Sequence, residues 1–159
     1  MPRTSQPSEV RQSLVSYAAR ILGMRPYFSG KLRQKLQERA QKMGFVAAEE
    51  VIEAIISELA SNKFLDDRYL AAGYVRKELR KGWGPRIILL KLIRLGVDRE
   101  TAQEAILTEA DLPQQKEAIS HYLKKINRYD PRIQTNKLFQ RGFNGAAILN
   151  RFDSATQED

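Results

Sequence analysis

The sequence predicts an all-α protein of about nine helices, set in three tandem three-helix repeats with no sheet. Three observations predict this. Apolar residues recur at the i, i+3, i+4, i+7 spacing of a helix face along nearly the whole chain. No segment alternates apolar and polar residues for more than a few positions. One proline-to-glycine phrase also returns at a fixed length. The chain has 159 residues, of which 42% are apolar, enough for a packed core of one domain or a short row of repeats.

The elements follow in order. Residues 1–7 hold two prolines among polar residues and read as a flexible arm. Val10, Leu14, Tyr17, Ala18 and Ile21 mark a first helix that ends at Pro26. Ser29 is placed to cap a second helix, with Leu32, Leu36, Ala40 and Met43 on one stripe and Gly44 as its closing glycine. Val51, Ile52, Ile55, Ile56 and Leu59 give a third helix, ending near Asn62.

The second round opens at Leu65-Asp66-Asp67. Asp66 is suited to N-cap a helix that runs to about Lys81, because its carboxylate accepts from free backbone N–H groups. Leu65 and Leu70 have the spacing of a hydrophobic staple. Lys81-Gly82-Trp83-Gly84-Pro85 breaks the chain sharply. The next helix, Arg86 to Leu95, is apolar nearly all round and reads as buried on most sides. Gly96 closes it, and Asp98 caps the helix that follows. A third round after Pro113 has one helix through Ala118, Ile119, Tyr122, Leu123 and Ile126. A second starts at Asp130-Pro131 and closes at Gly142, and a last short one holds Ile148, Leu149 and Phe152. The repeats are therefore 8–63, 64–112 and 113–152, with a flexible tail at 153–159.

The middle helices carry the repeat. Gly84-Pro85-Arg86-Ile87 reaches Gly96, and Asp130-Pro131-Arg132-Ile133 reaches Gly142, with eleven residues from proline to glycine in both. The first round closes alike at Met43-Gly44-Phe45. There Leu36 precedes the glycine by eight residues, where Leu92 and Leu138 precede theirs by four, an extension of about one turn.

Charge follows the same rhythm. There are 27 Lys plus Arg against 19 Asp plus Glu, for a net charge of +8. Along segments 1–48, 49–67, 68–99, 100–113, 114–143 and 144–159 the net charge is +7, −5, +7, −4, +5 and −2. The first two helices of each repeat are basic and the third is acidic. Stacked repeats would align the basic helices as a positive stripe suited to a polyanionic partner. Lys31, Lys35, Arg39 and Lys42 already share one helix face, and Arg76, Lys77, Arg80 and Lys81 cluster.

Several chemistries are excluded or unsupported. Without cysteine there is no disulfide, thiolate zinc site or iron–sulfur cluster, and His121 alone makes no histidine-rich metal site. No cofactor is expected and no enzyme is expected. Asp66-Asp67 and Glu49-Glu50 read as helix-start carboxylates rather than catalytic pairs. His121 reads as a surface or boundary residue. Trp83, in a turn beside Arg80, Lys81 and Arg86, could stack on a base, fill a groove on a partner, or pack on its own helices. No apolar run approaches the ~20 residues of a membrane span, so a cytoplasmic, soluble protein is expected.

Phe64-Leu65-Asp66-Asp67-Arg68-Tyr69-Leu70-Ala71, then Lys81-Gly82-Trp83-Gly84-Pro85-Arg86-Ile87, then Leu92 through Leu95-Gly96-Val97 together resemble the bacterial RecX family. The resemblance is dense from about Leu59 to Ile106 and looser over 14–152. Ser29, Leu32, Leu36 and Gly44-Phe45 fit the family's first unit, apart from the extra turn. The third unit departs more, with Asp130 where the second has Gly84. The resemblance implies an elongated, curved array of three-helix units that binds in the helical groove of the RecA filament on DNA. It further implies inhibition of strand exchange, ATP hydrolysis and the co-protease function of the SOS response, and non-sequence-specific binding to DNA. The central contacts to DNA phosphate or an acidic RecA surface are then assigned to Arg76, Lys77, Arg80, Lys81, Arg86, Lys91 and Arg94. Lys31, Arg33, Lys35 and Arg39 would extend them on one side, and Lys124, Lys125, Arg128, Arg132, Lys137 and Arg141 on the other. A monomer is expected, with no membrane partner. The rival expectation is an autonomous DNA-binding helical regulator. It is disfavoured because the Ile87-Ile88-Leu89-Leu90 helix is too apolar to read base edges.

Overall fold

A computed structural model describes residues 7–153. The expected arms therefore lie outside the described residues, save for Pro7, which opens the first helix, and Asp153, which ends the last. Among the described residues there are nine helices and no strand. They are α1 (Pro7–Met24), α2 (Ser29–Lys42), α3 (Glu49–Ser61), α4 (Asp67–Arg80), α5 (Pro85–Arg94), α6 (Arg99–Glu109), α7 (Leu112–Lys125), α8 (Pro131–Gln140) and α9 (Gly145–Asp153). None is long and apolar enough to cross a membrane.

The chain forms two compact units. One runs to Asp67 and includes Leu95–Val97; the other holds Arg68–Arg94 and the chain from Asp98 onward. In the first unit α1, α2 and α3 pack on one another. Val10, Leu14 and Ala18 of α1, Leu32, Leu36 and Ala40 of α2, and Ile52, Ile55 and Ile56 of α3 form its core. Full burial of each large aliphatic side chain contributes about 1.5–3 kcal/mol. In the second unit α5 packs on α6, and α9 packs on both α7 and α8. Its buried side chains include Val75, Leu79, Ile88, Leu92, Ile119, Tyr122, Leu138 and Ile148.

Helix ends follow the capping chemistry, with two revisions. Asp98 accepts from Thr101 N at 2.9 Å, and Asp130 accepts from Arg132 N at 2.9 Å and Ile133 N at 3.1 Å. Asp66 directly precedes α4. Ser29 is not the cap of α2, because the cap position is Phe28, with no side-chain cap bond. Instead Asp67 Oδ1 accepts from Ser29 N at 2.8 Å and from Ser29 Oγ at 3.2 Å. A carboxylate at the positive end of the helix dipole is a stronger acceptor than the hydroxyl it displaces. α7 begins at Leu112 rather than after Pro113, because Asp111 accepts from Gln114 N at 3.0 Å. α5 is not buried on most sides: Ile88 and Leu92 are buried, but Leu90 is 48% exposed.

Gly44, Gly82, Gly96 and Gly142 all have φ between +78° and +87°. At Gly44, Phe45 N donates to Ala40 O and Gly44 N to Gln41 O, both at 2.9 Å, the two bonds of a Schellman turn. Gly96 and Gly142 do more than close helices. Each turn is seated on the start of another middle helix, at a second glycine. A Cβ on Gly30 would lie 2.2 Å from Gly96 O, and one on Gly84 would lie 2.2 Å from Phe143 N. No side chain fits at that separation. The second joint is also hydrogen-bonded, Gly84 N to Arg141 O at 2.8 Å and Arg86 N to Gly142 O at 3.1 Å.

Candidate functional site

The basic side chains fall into two groups: those engaged inside the fold and those left to solvent. On α2, Arg33 forms a two-bond ion pair with Glu53, with Nη2 to Oε2 at 3.0 Å and a second bond from Nε to Oε1. That pairing raises the Arg33 pKa and lowers that of Glu53. Lys31 donates to Gln34 at 2.9 Å. Arg39 lies over the Tyr17 ring at 5.6 Å, with Arg20 at 5.4 Å from the same ring. Lys35 has no ion-pair partner among the described residues.

In the second unit the pairing is denser. Glu78 is buried, with 3% exposure, on a helix otherwise rich in base. Its Oε1 accepts from Lys81 at 2.7 Å and its Oε2 from Lys91 at 2.6 Å. Burial pushes its pKa up, but the two ammonium hydrogen bonds and charges outweigh that, and the net shift is downward. The Lys91 ammonium also lies 4.0 Å from the Trp83 ring centre, and the Arg141 guanidinium 4.2 Å. Arg141 is at the same time 4.6 Å from the Tyr122 ring. Each contact of this kind contributes about 1 kcal/mol when partly desolvated. Of the three roles open to Trp83, packing within its own fold is the one the geometry supplies.

Arg76 pairs with Glu109 at 2.8 Å, and Arg86 Nη2 donates to Phe139 O at 2.9 Å. Arg128 donates to the Tyr129 hydroxyl at 3.0 Å, lowering its pKa, and Lys137 lies 4.7 Å over that ring. Lys77, Arg80, Arg94, Lys124, Lys125 and Arg132 are exposed. Among the described residues none of these six has a carboxylate at ion-pair distance.

Two members of that unpaired group line one cleft. Arg80 and Lys124 line a cleft of about 680 Å³ bounded by α4, α6 and α7, with Arg76, His121, Glu109 and Glu117. This brings the α4 and α7 portions of the predicted stripe to one place, and it exposes His121 there, as its reading as a surface residue requires. Sequence reasoning missed Glu78. The signal was present, since Ala71, Val75 and Leu79 define the buried stripe of α4 and Glu78 falls on it. It also missed Asp67 as the acceptor at the start of α2.

Comparison with known proteins gives this surface a context. The family described as "RecX, second three-helix domain" matches residues 66–106, from the start of α4 into α6. "Regulatory protein RecX" of Thermotoga sp. (strain RQ2) is 34% identical over 150 residues, covering 90% of this chain and 86% of that protein. "Regulatory protein RecX" of Bacillus subtilis (strain 168) is 33% identical over 92 residues, covering 57% of this chain and 34% of that one. The crystal structure of RecX from Lactobacillus salivarius shares the fold, with a TM-score of 0.74 at 20% identity, covering 92% of this chain and 97% of that one. The anchoring glycines, the nine helices and a third of all residues shared along most of a relative's length lead to one conclusion: the chain belongs to the RecX family of regulatory proteins.

Proposed function

We propose that this chain binds the RecA filament on DNA and restrains it, lowering strand exchange, ATP hydrolysis and co-protease activity. The three-helix repeats 8–63, 64–112 and 113–152 are its units of contact, and it acts in the cytoplasm as a single copy. The observation that carries the reading is the set of exposed, unpaired cations on a RecX chain, above all Arg80 and Lys124 at one cleft. Phosphate contacts from such residues give affinity without reading sequence. Several weak contacts from linked units add through effective concentration.

Pairing inside the fold also ranks the residues. Lys77, Arg80, Arg94, Lys124, Lys125 and Arg132, with Lys35 of the first unit, are the direct contacts. Lys81, Lys91, Arg33 and Arg141 hold the surface in shape, because each is already engaged by Glu78, Glu53 or an aromatic ring.

The test is the DNA-dependent ATPase of RecA with and without the protein. The wild type lowers the rate, and Arg80→Ala with Lys124→Ala restores most of it while the fold is kept. Full inhibition by that folded double variant removes the cleft from the contact surface. A defined operator footprint without RecA replaces the reading with that of an autonomous DNA-binding regulator.

A further inference from the structure

The chain has one histidine, and the fold puts it in the cleft. His121 is exposed, and it lines the space between α4, α6 and α7. An imidazole is the side chain whose ordinary charge change falls between about pH 5 and 8. The sequence has no cysteine, so no thiol titrates beside it.

The other charges of the cleft nearly balance. α4 supplies Arg76 and Arg80, α6 supplies Glu109, and α7 supplies Glu117 and Lys124. Arg76 and Glu109 pair at 2.8 Å and cancel each other. Arg80 and Lys124 then stand against Glu117, for a net charge of +1 in the lining. On the same helix Glu117 lies four residues before His121 and Lys125 four after it, so the two neighbouring turns present opposite charges to the ring. Among the described residues α8 and α9 place no side chain in the lining. One proton on His121 therefore takes the cleft from +1 to +2.

We propose that His121 makes the hold of this cleft on nucleic-acid phosphate depend on pH. The inference rests on the reading of the cleft as a DNA contact and adds its regulation. Protonated, His121 is a third cation beside Arg80 and Lys124; neutral, the ring still donates one N–H but adds no charge. A phosphodiester stays negative throughout this range, so the change is on the protein alone. Phosphate beside the ring favours the charged imidazole, and the charged imidazole in turn favours phosphate. Binding therefore tightens as pH falls through the range in which the ring charges, and loosens as pH rises out of it.

The test is fluorescence anisotropy of a single-stranded oligonucleotide carrying a pH-insensitive rhodamine label, without RecA. It is run at about pH 6 and about pH 8 at fixed ionic strength, with circular dichroism as the fold control at both. Wild type should bind about two- to fivefold more tightly at the lower pH, the effect of one exposed charge pair. Its dependence of log K on log salt should also steepen there by roughly 0.7, the increment of one phosphate contact on a single strand. His121→Asn should bind at the weaker level at both pH values, and His121→Lys, charged throughout, at the tighter level at both. The proposal alone is overturned if wild type binds DNA equally at the two pH values, if folded His121→Asn keeps the wild-type difference, or if folded His121→Lys binds no more tightly than His121→Asn at the higher pH. Absence of DNA binding at either pH overturns both the proposal and the reading of the cleft on which it rests.

Discussion

Glu78→Ala provides a direct test of how the second unit is held. The carboxylate is 3% exposed and accepts two ammonium hydrogen bonds. A hydrogen bond to a charged group contributes about 1.5–3 kcal/mol net. The Lys81 side chain is 53% exposed, so screening reduces its share to less than about 1 kcal/mol. The Lys91 side chain is only 28% exposed and lies on Trp83, so its share stays near 2 kcal/mol. The net loss is about 3 kcal/mol, which for a chain of this size lowers Tm by roughly 6–12 °C. Urea unfolding followed by Trp83 fluorescence measures it at the site, because the chain's single tryptophan lies under Lys91. A cycle with Lys91→Met isolates the pair, and its coupling energy should be about 1–2 kcal/mol. A loss below about 1 kcal/mol for Glu78→Ala, or strictly additive effects in the cycle, would refute the clamp.

Other changes test other joints of the structure. Gly84→Ala puts a methyl group 2.2 Å from Phe143 N and should cost at least about 3 kcal/mol in urea unfolding. Gly73→Ala, inside α4, where among the described residues outside the helix's own backbone a Cβ would meet only Arg76 Nη2 at 3.9 Å, should instead raise stability by up to about 1 kcal/mol in the same assay. Asp98→Ala removes the acceptor for Thr101 N and should lower Tm by the equivalent of about 1 kcal/mol. Acid should unfold the protein in part through Glu78 and Asp98, whose folded pKa values are both lowered. Their contribution is complete above the unfolded carboxylate pKa of about 4 and is lost as pH falls through the folded values. An acid titration of Glu78→Gln should therefore show a shallower fall in stability below pH ~4 than the wild type.

The helices were legible because each buries one stripe at regular spacing. Leu32, Leu36 and Ala40 on α2 show this plainly, and all three are buried. The closing glycines were legible because positive φ leaves a residue-type signature. What escaped depends on partners distant in sequence. The start of α2 was assigned to Ser29, the nearest hydroxyl, whereas its acceptor is Asp67, 38 residues away. Hydropathy marked α5 as apolar nearly all round, but it does not say what covers each face, and Leu90 is half in solvent. The basic stripe was counted residue by residue, without knowing which charges the fold consumes. Lys81 and Lys91 look like surface cations in the sequence and turn out to neutralise a buried carboxylate.

The membership of Leu95–Val97 in the first unit has a consequence for synthesis on the ribosome. The first unit's chain up to Asp67 is made well before the tripeptide that seats on Gly30. At about 5–20 residues per second, the 30 residues between Asp67 and Val97 take roughly 2–6 s to emerge. During that interval α1, α2 and α3 can assemble their shared core, while the backbone beside Gly30 stays open to water. The nascent chain thus meets a pause between a collapsed first unit and a sealed one, and its timing is set by where in the sequence Gly96 falls.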